Sequence, residues 1–208
     1  MKQTLSQRLA AAAGAFAVMA AVVSPVVVGA ASQTGNTTIN ATVNPVISLS
    51  TSSTVAIALT PTASGVVSSN SDTVTVSTNR SAGYTLSIAD NDATTTLGDG
   101  SGNTLAASAG TKASTQTLAV NTWGWAVATG TTGLGTNTFD ASYTAENSNA
   151  SSTSKWAGMP ASGSGVTIKA TAATATNDTT TVWYGVKVDT SKPSGTYSDT
   201  VTYTGVKN

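Results

Sequence analysis

Three aspartates in one polar segment are the side chains of this sequence best suited to hold a metal ion. Asp90, Asp92 and Asp99 lie in the run 90–100, which is rich in Asp, Thr and Gly. Carboxylate oxygens at alternate positions of a turning loop are ligands that calcium prefers, although the spacing is not that of an EF-hand. These residues are therefore a candidate calcium site. The alternative, which we favour, is that they only cap a turn by accepting backbone hydrogen bonds, with no cofactor bound.

The groups on which most enzyme mechanisms depend are missing. The chain contains no histidine and no cysteine, which excludes Ser-His-Asp and Cys-His catalysis, Cys/His zinc sites and disulfides. A glycosidase needs two carboxyl groups facing each other across a cleft. Glu146 is the only glutamate, and its spacing from Asp140 selects no such pair. We therefore expect a protein that is not an enzyme, with a secreted hydrolase as the last alternative.

Tryptophan could bind a sugar ring by stacking, and the chain has four. Trp123 and Trp183 lie in predicted strands among apolar residues, so we expect them to be buried, together with Tyr84. Trp156 lies outside the predicted strands, in the segment 155–160. It is therefore the candidate ligand-binding residue of a carbohydrate-binding module. The alternative is that its side chain plugs the core from a loop.

Two lysines fall in predicted strands, which raises the question of an isopeptide bond between Lys and Asn. Such a bond would need Lys169 or Lys187 in an apolar core beside an acid such as Asp189 or Asp199. Alternation along a strand favours outward, solvated lysines instead, with the aliphatic stem lying along the sheet.

The amino-terminal segment has the order typical of a secretory signal peptide. Lys2 and Arg8 precede an almost wholly apolar run, 9–28, which ends in small residues. We expect cleavage that leaves a chain beginning at Ala31 or Ser32, and hence a signal peptide at 1–31 and a single domain at 32–208. The alternative is a membrane anchor, since about 20 apolar residues can span a bilayer.

The remaining sequence alternates at strand spacing and is punctuated by turn residues. No segment has a convincing helical period. The fold class predicted is all-β, an antiparallel β-sandwich of the immunoglobulin-like or jelly-roll-like kind, with long polar loops at 90–112 and 130–165. The predicted strands are 38–43, 46–49, 55–59, 72–78, 84–89, 117–121, 123–128, 166–171, 181–188 and 197–204.

The charge balance of the chain indicates which classes of binding partner to expect. Nine basic residues balance nine acidic ones, and loss of Lys2 and Arg8 would leave a small excess of acid. Without a basic patch, nucleic acid is not an expected partner. After signal cleavage we expect no membrane association. The segment 38–43, freed by cleavage, is predicted to lie at a sheet edge, where it could pair with neighbouring copies in a homo-oligomer. The alternative is that it folds back into its own sheet.

Three segments carry a resemblance to a known family. They are 81–90 (SAGYTLSIAD), 121–125 (NTWGW) and 193–204 (PSGTYSDTVTYT). In this order, behind a signal peptide, they resemble WxL-like surface proteins of bacteria, although Trp125 stands where that family has Leu. The resemblance implies a β-sandwich held non-covalently at the cell wall. We therefore expect a secreted, non-enzymatic structural or adhesive protein of the cell surface, whose partner is a wall polymer, a glycan or further copies.

Overall fold

The computed structural model describes residues 32–127 and 154–208, and this part of the chain is all-β, without a helix. Its eleven strands are β1 (Ile47–Ser50), β2 (Val66–Thr78), β3 (Tyr84–Asp90), β4 (Leu97–Gly98), β5 (Thr104–Ala107), β6 (Gln116–Thr117), β7 (Thr122–Val127), β8 (Lys155–Trp156), β9 (Val166–Ala170), β10 (Ala175–Val188) and β11 (Val201–Lys207).

The strands form three sheets. The largest has six strands in the order β1-β2-β10-β7-β5-β4, the second has three in the order β11-β3-β9, and the third pairs β6 with β8. Pairing is antiparallel throughout the described strands except between β5 and β7, which run parallel. The prediction of an all-β, largely antiparallel fold is confirmed.

A single hydrophobic core receives side chains from the six-stranded and the three-stranded sheet. β3 alternates strictly, with Tyr84, Leu86 and Ile88 fully buried and the residues between them half-buried, which is typical of a strand with one face on the core. β10 is different, because Val182–Val186 is buried at every position. Both of its faces are therefore covered. Trp123, Trp183 and Tyr84 are all buried, as predicted.

Trp156 covers the second face of β10. Gly185 and Gly124 are directly opposed on β10 and β7, and neither has a side chain to fill the space above it. A Cβ atom on Gly185 would lie 2.2 Å from the Trp156 ring, and one on Gly124 would lie 3.0 Å from the Trp156 Cβ. The two glycines therefore form a slot into which the indole packs.

Lys169 is buried, so the prediction that it points to solvent is wrong. It is 5% exposed, and its Nζ donates to Asp178 Oδ1 at 2.5 Å and to the Thr179 carbonyl at 3.0 Å. The register of β9 against β3 shifts between Leu86 and Ser87. This irregularity breaks the alternation, so that Ile168 and Lys169 are both buried. Tyr84 Oη donates to the other oxygen of Asp178 at 2.8 Å, which completes a small polar network at the edge of the core, where the Asp178 side chain is still 30% exposed.

Two predicted strands are not formed. Residues 38–43 have no secondary structure and are exposed, so they do not form an edge strand. Residues 55–59 also lack strand pairing, although Val55, Ile57 and Leu59 pack against the core. There the carbonyls of Ala56 and Ala58 accept hydrogen bonds from side chains of β2 rather than from its backbone. Of the predicted strand 117–121 only its first residue is in a strand, and the predicted strand from 197 begins at Val201.

The described residues from Val43 onward form one compact unit, and residues 32–42 are not part of it. The predicted signal peptide, 1–31, lies outside the described residues, as does most of the predicted loop 130–165. No helix in the described part is long and apolar enough to cross a membrane.

Candidate functional site

Two strands of the three-stranded sheet bring distant acidic residues together. β3 ends at Asp90 and β11 begins at Val201, and these two residues are opposed in the antiparallel register. Beyond the strands the pairing continues, because Asn91 N–H donates to the Thr200 carbonyl at 2.9 Å. The residues that follow β3 and those that precede β11 therefore lie side by side. Asp92 belongs to the first group and Asp199 to the second.

Asp90 continues the buried face of β3. It follows Tyr84, Leu86 and Ile88 at the same period and is 1% exposed. Its Oδ1 accepts a hydrogen bond from Asp92 N–H at 3.1 Å. Its Oδ2 is buried and has no hydrogen-bond partner. Burying a carboxylate oxygen without a donor or a cation is costly, so this atom requires an explanation.

Asp199 has the same property. Its Oδ1 accepts from Thr200 N–H at 2.7 Å, while its Oδ2 is buried without a partner. Burial raises the pKa of the Asp199 carboxyl, against the opposing effect of the Thr200 hydrogen bond. The charges of Asp90 and Asp92, and a hydrogen bond that a protonated Asp199 would share with the Asp90 carboxyl, raise this pKa further. The surroundings of Asp199 therefore favour the protonated form of its carboxyl group over the ionised form.

Asp92 is the solvent-exposed member of this group of three aspartates. It is exposed, and its Oδ1 accepts from both the N–H and the hydroxyl of Thr94 at 2.6 Å, which lowers the pKa of its carboxyl. Its own carbonyl accepts from Ser162 N–H at 2.8 Å and fixes the loop against the chain before β9. Asp92 is therefore ionised and held in place.

One carboxylate oxygen from each of Asp90, Asp92 and Asp199 lies within 4.8 Å of the others. The ion pair found in the described ranges, Lys169 with Asp178, involves none of them. Three carboxyl groups this close cannot all remain ionised without a compensating charge. The arrangement can hold a cation, or it can hold a proton shared between two of its members.

The structure groups only two of the three aspartates predicted from sequence. Asp99 organises its own turn instead: its Oδ1 accepts from the N–H groups of Ser101 and Asn103, and its Oδ2 accepts from the Asn103 side chain at 2.7 Å. These bonds lower the pKa of its carboxyl. Asp99 therefore behaves as the turn-capping alternative describes, and Asp199 takes its place beside Asp90 and Asp92.

Trp156, the candidate sugar-binding residue, lies in the core. Trp156 is fully buried, with its ring against Gly185, so that neither face of the indole is open to a ligand. This is the position expected for a core plug. Trp123 and Trp125 are buried too, and their Nε1 atoms donate to the carbonyls of Thr95 and Gly158, both at 2.9 Å. These bonds tie the segments beyond β3 and β8 to β7.

An open groove of about 460 Å³ lies over the outer face of β3 and β11, lined by Ser87, Ala89, Thr202 and Thr204 among others. Asp90 is the one acidic residue along it, so this groove does not place two carboxyl groups across from each other as glycoside hydrolysis requires.

Comparison with known proteins gives no relative. No protein-family model matches the chain, and neither the curated proteins nor the solved structures include one with significant similarity to it.

Proposed function

We propose that this chain is a secreted, non-enzymatic structural or adhesive protein of the cell surface. In this proposal the six-stranded and three-stranded sheets pack face to face as a β-sandwich, and an exposed amino-terminal arm, residues 32–43, joins one copy to the next. The sandwich is supported by contacts between the two sheets. Tyr184 of β10 and Tyr203 of β11 share a hydrogen bond of 2.6 Å, and Lys169 of β9 pairs with Asp178 of β10.

The observation that carries the proposal is the exposed apolar character of the arm. Ile39 and Val43 are 88% and 83% exposed, and residues 32–43 have no secondary structure. Ile39, Ala41 and Val43 alternate with polar residues as in a strand with one apolar face. An extended segment of this kind gains backbone hydrogen bonds and buries its apolar face when it adds to the sheet edge of another molecule. Repetition of that contact would build a chain or lattice of copies.

Sizing with light scattering over a concentration series tests this proposal. We expect the purified protein to assemble as concentration rises, and we expect Ile39→Asp with Val43→Asp to remain monomeric. Val120→Asp is the matched control, because Val120 is also exposed but lies outside the arm. A parent protein that stays monomeric at every concentration, or arm and control variants that assemble alike, would contradict arm-mediated assembly.

Retention at a cell wall is the second part of the proposal, and it is supported by the resemblance to WxL-like proteins. Because Trp123 and Trp125 are buried, a wall polymer would contact other residues, such as the Ser, Thr and Asn side chains of the loops. Sedimentation with purified peptidoglycan, and separation of a culture into wall, membrane and medium, test this part. A glycan array tests the carbohydrate-binding alternative.

A further inference from the structure

We propose that Asp90, Asp92 and Asp199 form a calcium site that joins the end of β3 to the start of β11. The proposal does not depend on the function proposed above. It rests on two observations of different kinds: the convergence of three carboxyl groups within 4.8 Å, and the presence among them of two buried oxygens without partners, Asp90 Oδ2 and Asp199 Oδ2.

The buried oxygens are the decisive feature. An acidic cluster on a protein surface is solvated by water, and its members repel each other weakly. Asp90 is instead 1% exposed and projects from the core face of β3, and the ion pair found among the described residues does not include it. Its Oδ1 is satisfied by Asp92 N–H, which leaves Oδ2 free to act as a ligand. A divalent cation between Asp90 and Asp199 would satisfy both orphaned oxygens at once.

The donor set fits calcium. Calcium takes six to eight oxygen ligands at variable angles and accepts carboxylates in either monodentate or bidentate form. Asp90 ends β3, Asp92 lies in the loop that follows it, and Asp199 lies in the segment before β11. The site is therefore irregular, which calcium tolerates better than magnesium does. Exposed Asp92 leaves one side open to water, which can complete the coordination shell. The chain has neither histidine nor cysteine, the nitrogen and sulfur ligands that zinc prefers in proteins, which disfavours zinc.

Calorimetric titration of the chelator-treated protein with calcium chloride tests the proposal. We expect binding with one calcium per chain and a melting temperature raised by roughly 5 to 10 °C at a calcium concentration about 100-fold above the dissociation constant. Asp199→Asn and Asp92→Asn should each weaken binding by about tenfold or more, since affinity follows the number of charged ligands. Asp92→Asn keeps an oxygen that can accept from Thr94, so this variant tests the lost charge without removing the turn.

Asp99→Asn is the matched control. It lies in the same polar run but outside the cluster, and it should bind calcium as the parent does. Two results would overturn the proposal. One is the absence of binding up to millimolar calcium, which would mean that Asp90 and Asp199 share a proton instead. The other is loss of binding in Asp99→Asn with binding kept in Asp199→Asn.

Discussion

At the scale of single residues, the contact between Gly185 and Trp156 shows how a chain poor in large apolar side chains fills its core. An indole covers two opposed glycines, and the absence of both side chains is what makes room for it. Each glycine position is therefore determined by a residue distant in sequence. No local rule of strand propensity would place a glycine inside β10.

We predict that Gly185→Ala destabilises the fold by about 1 to 3 kcal/mol, because the new Cβ would lie 2.2 Å from ring atoms that are themselves packed. Gly98→Ala is the matched control: Gly98 is also in a strand, and a Cβ there meets nothing within 4 Å. Its effect should be within about 0.5 kcal/mol. Denaturant unfolding of both variants measures the difference.

A double-mutant cycle identifies the cause. In a Trp156→Leu background, where the ring is gone, Gly185→Ala should cost less than it does in the parent. Equal costs in the two backgrounds would show that Gly185→Ala acts through the strand backbone and not through the indole.

The site residues show what a local pattern can and cannot reveal. Asp90 and Asp92 are recognisable from sequence, because closely spaced aspartates in a loop are the ordinary form of a cation site. Asp99 lies in the same polar segment, but its carboxylate accepts hydrogen bonds from the N–H groups of Ser101 and Asn103. Asp199 joins them only through the pairing of β3 with β11. The sequence does show that Asp199 precedes a clearly alternating final strand. This position indicates a site only once the strand that pairs with the final strand is known.

At the scale of elements, alternation predicts the strands that have one buried face. β3 and the second half of β2 agree closely with the predicted 84–89 and 72–78. The first half of β2, Val66–Ser71, was missed because Ser and Asn usually favour turns. It is a strand because β10 pairs with it along its whole length. Residues 55–59 show the converse, since they have the alternation of a strand and half-buried side chains but no backbone partner.

β10 is the central strand of the largest sheet, and Trp183 lies at its middle with 3% exposure. We predict that Trp183→Ala costs about 3 to 5 kcal/mol, a large part of the stability of an ordinary domain. Val120→Ala is the control, because Val120 is exposed and lies before β7. Thermal melts of the two variants test the prediction, and a Trp183→Ala protein that melts like the parent would contradict it.

The tyrosine pair between β10 and β11 makes the contact between sheets sensitive to alkaline pH. Burial raises the pKa of Tyr184 and of Tyr203 well above the ordinary value of 10.0. The unfolded chain would release these protons near pH 10 while the folded chain retains them, so the folded state binds more protons above that pH. Stability is therefore fully present below pH 10 and decreases as the pH rises further.

We predict that tyrosinate absorbance from these residues appears together with the loss of the β-sheet circular dichroism signal as the pH is raised above 10. The double variant Tyr184→Phe with Tyr203→Phe has no ionisable group at either position. A rise in pH above 10 should therefore reduce its stability, measured from its own value at neutral pH, by less than it reduces the stability of the parent. Full ionisation of the chain's five tyrosines near pH 10 with an unchanged sheet signal would contradict the prediction.

At the scale of the whole molecule, the compact unit of the described chain begins at Val43. The chain enters this unit through polar contacts: Val46 N–H donates to Asn79 Oδ1 at 2.8 Å, and the Asn44 carbonyl accepts from the Asn79 side chain at 3.0 Å. β1 then pairs with the end of β2. After β1, the hydroxyl of Thr51 and the N–H of Ser52 donate to the buried carboxylate of Asp72.

These contacts predict where the amino-terminal end can be shortened. A protein that begins at Val43 should melt at the same temperature as the parent, because every contact just described is retained. A protein that begins at Ser53 should lose about 2 kcal/mol or more, since it lacks β1 and leaves Asp72, which is 3% exposed, without the donors of Thr51 and Ser52. Differential scanning calorimetry of the two truncated proteins measures this. A lower melting temperature for the protein that begins at Val43 would show that the residues before it contribute to the stability of the folded unit, and the arm could not then be treated as free for assembly.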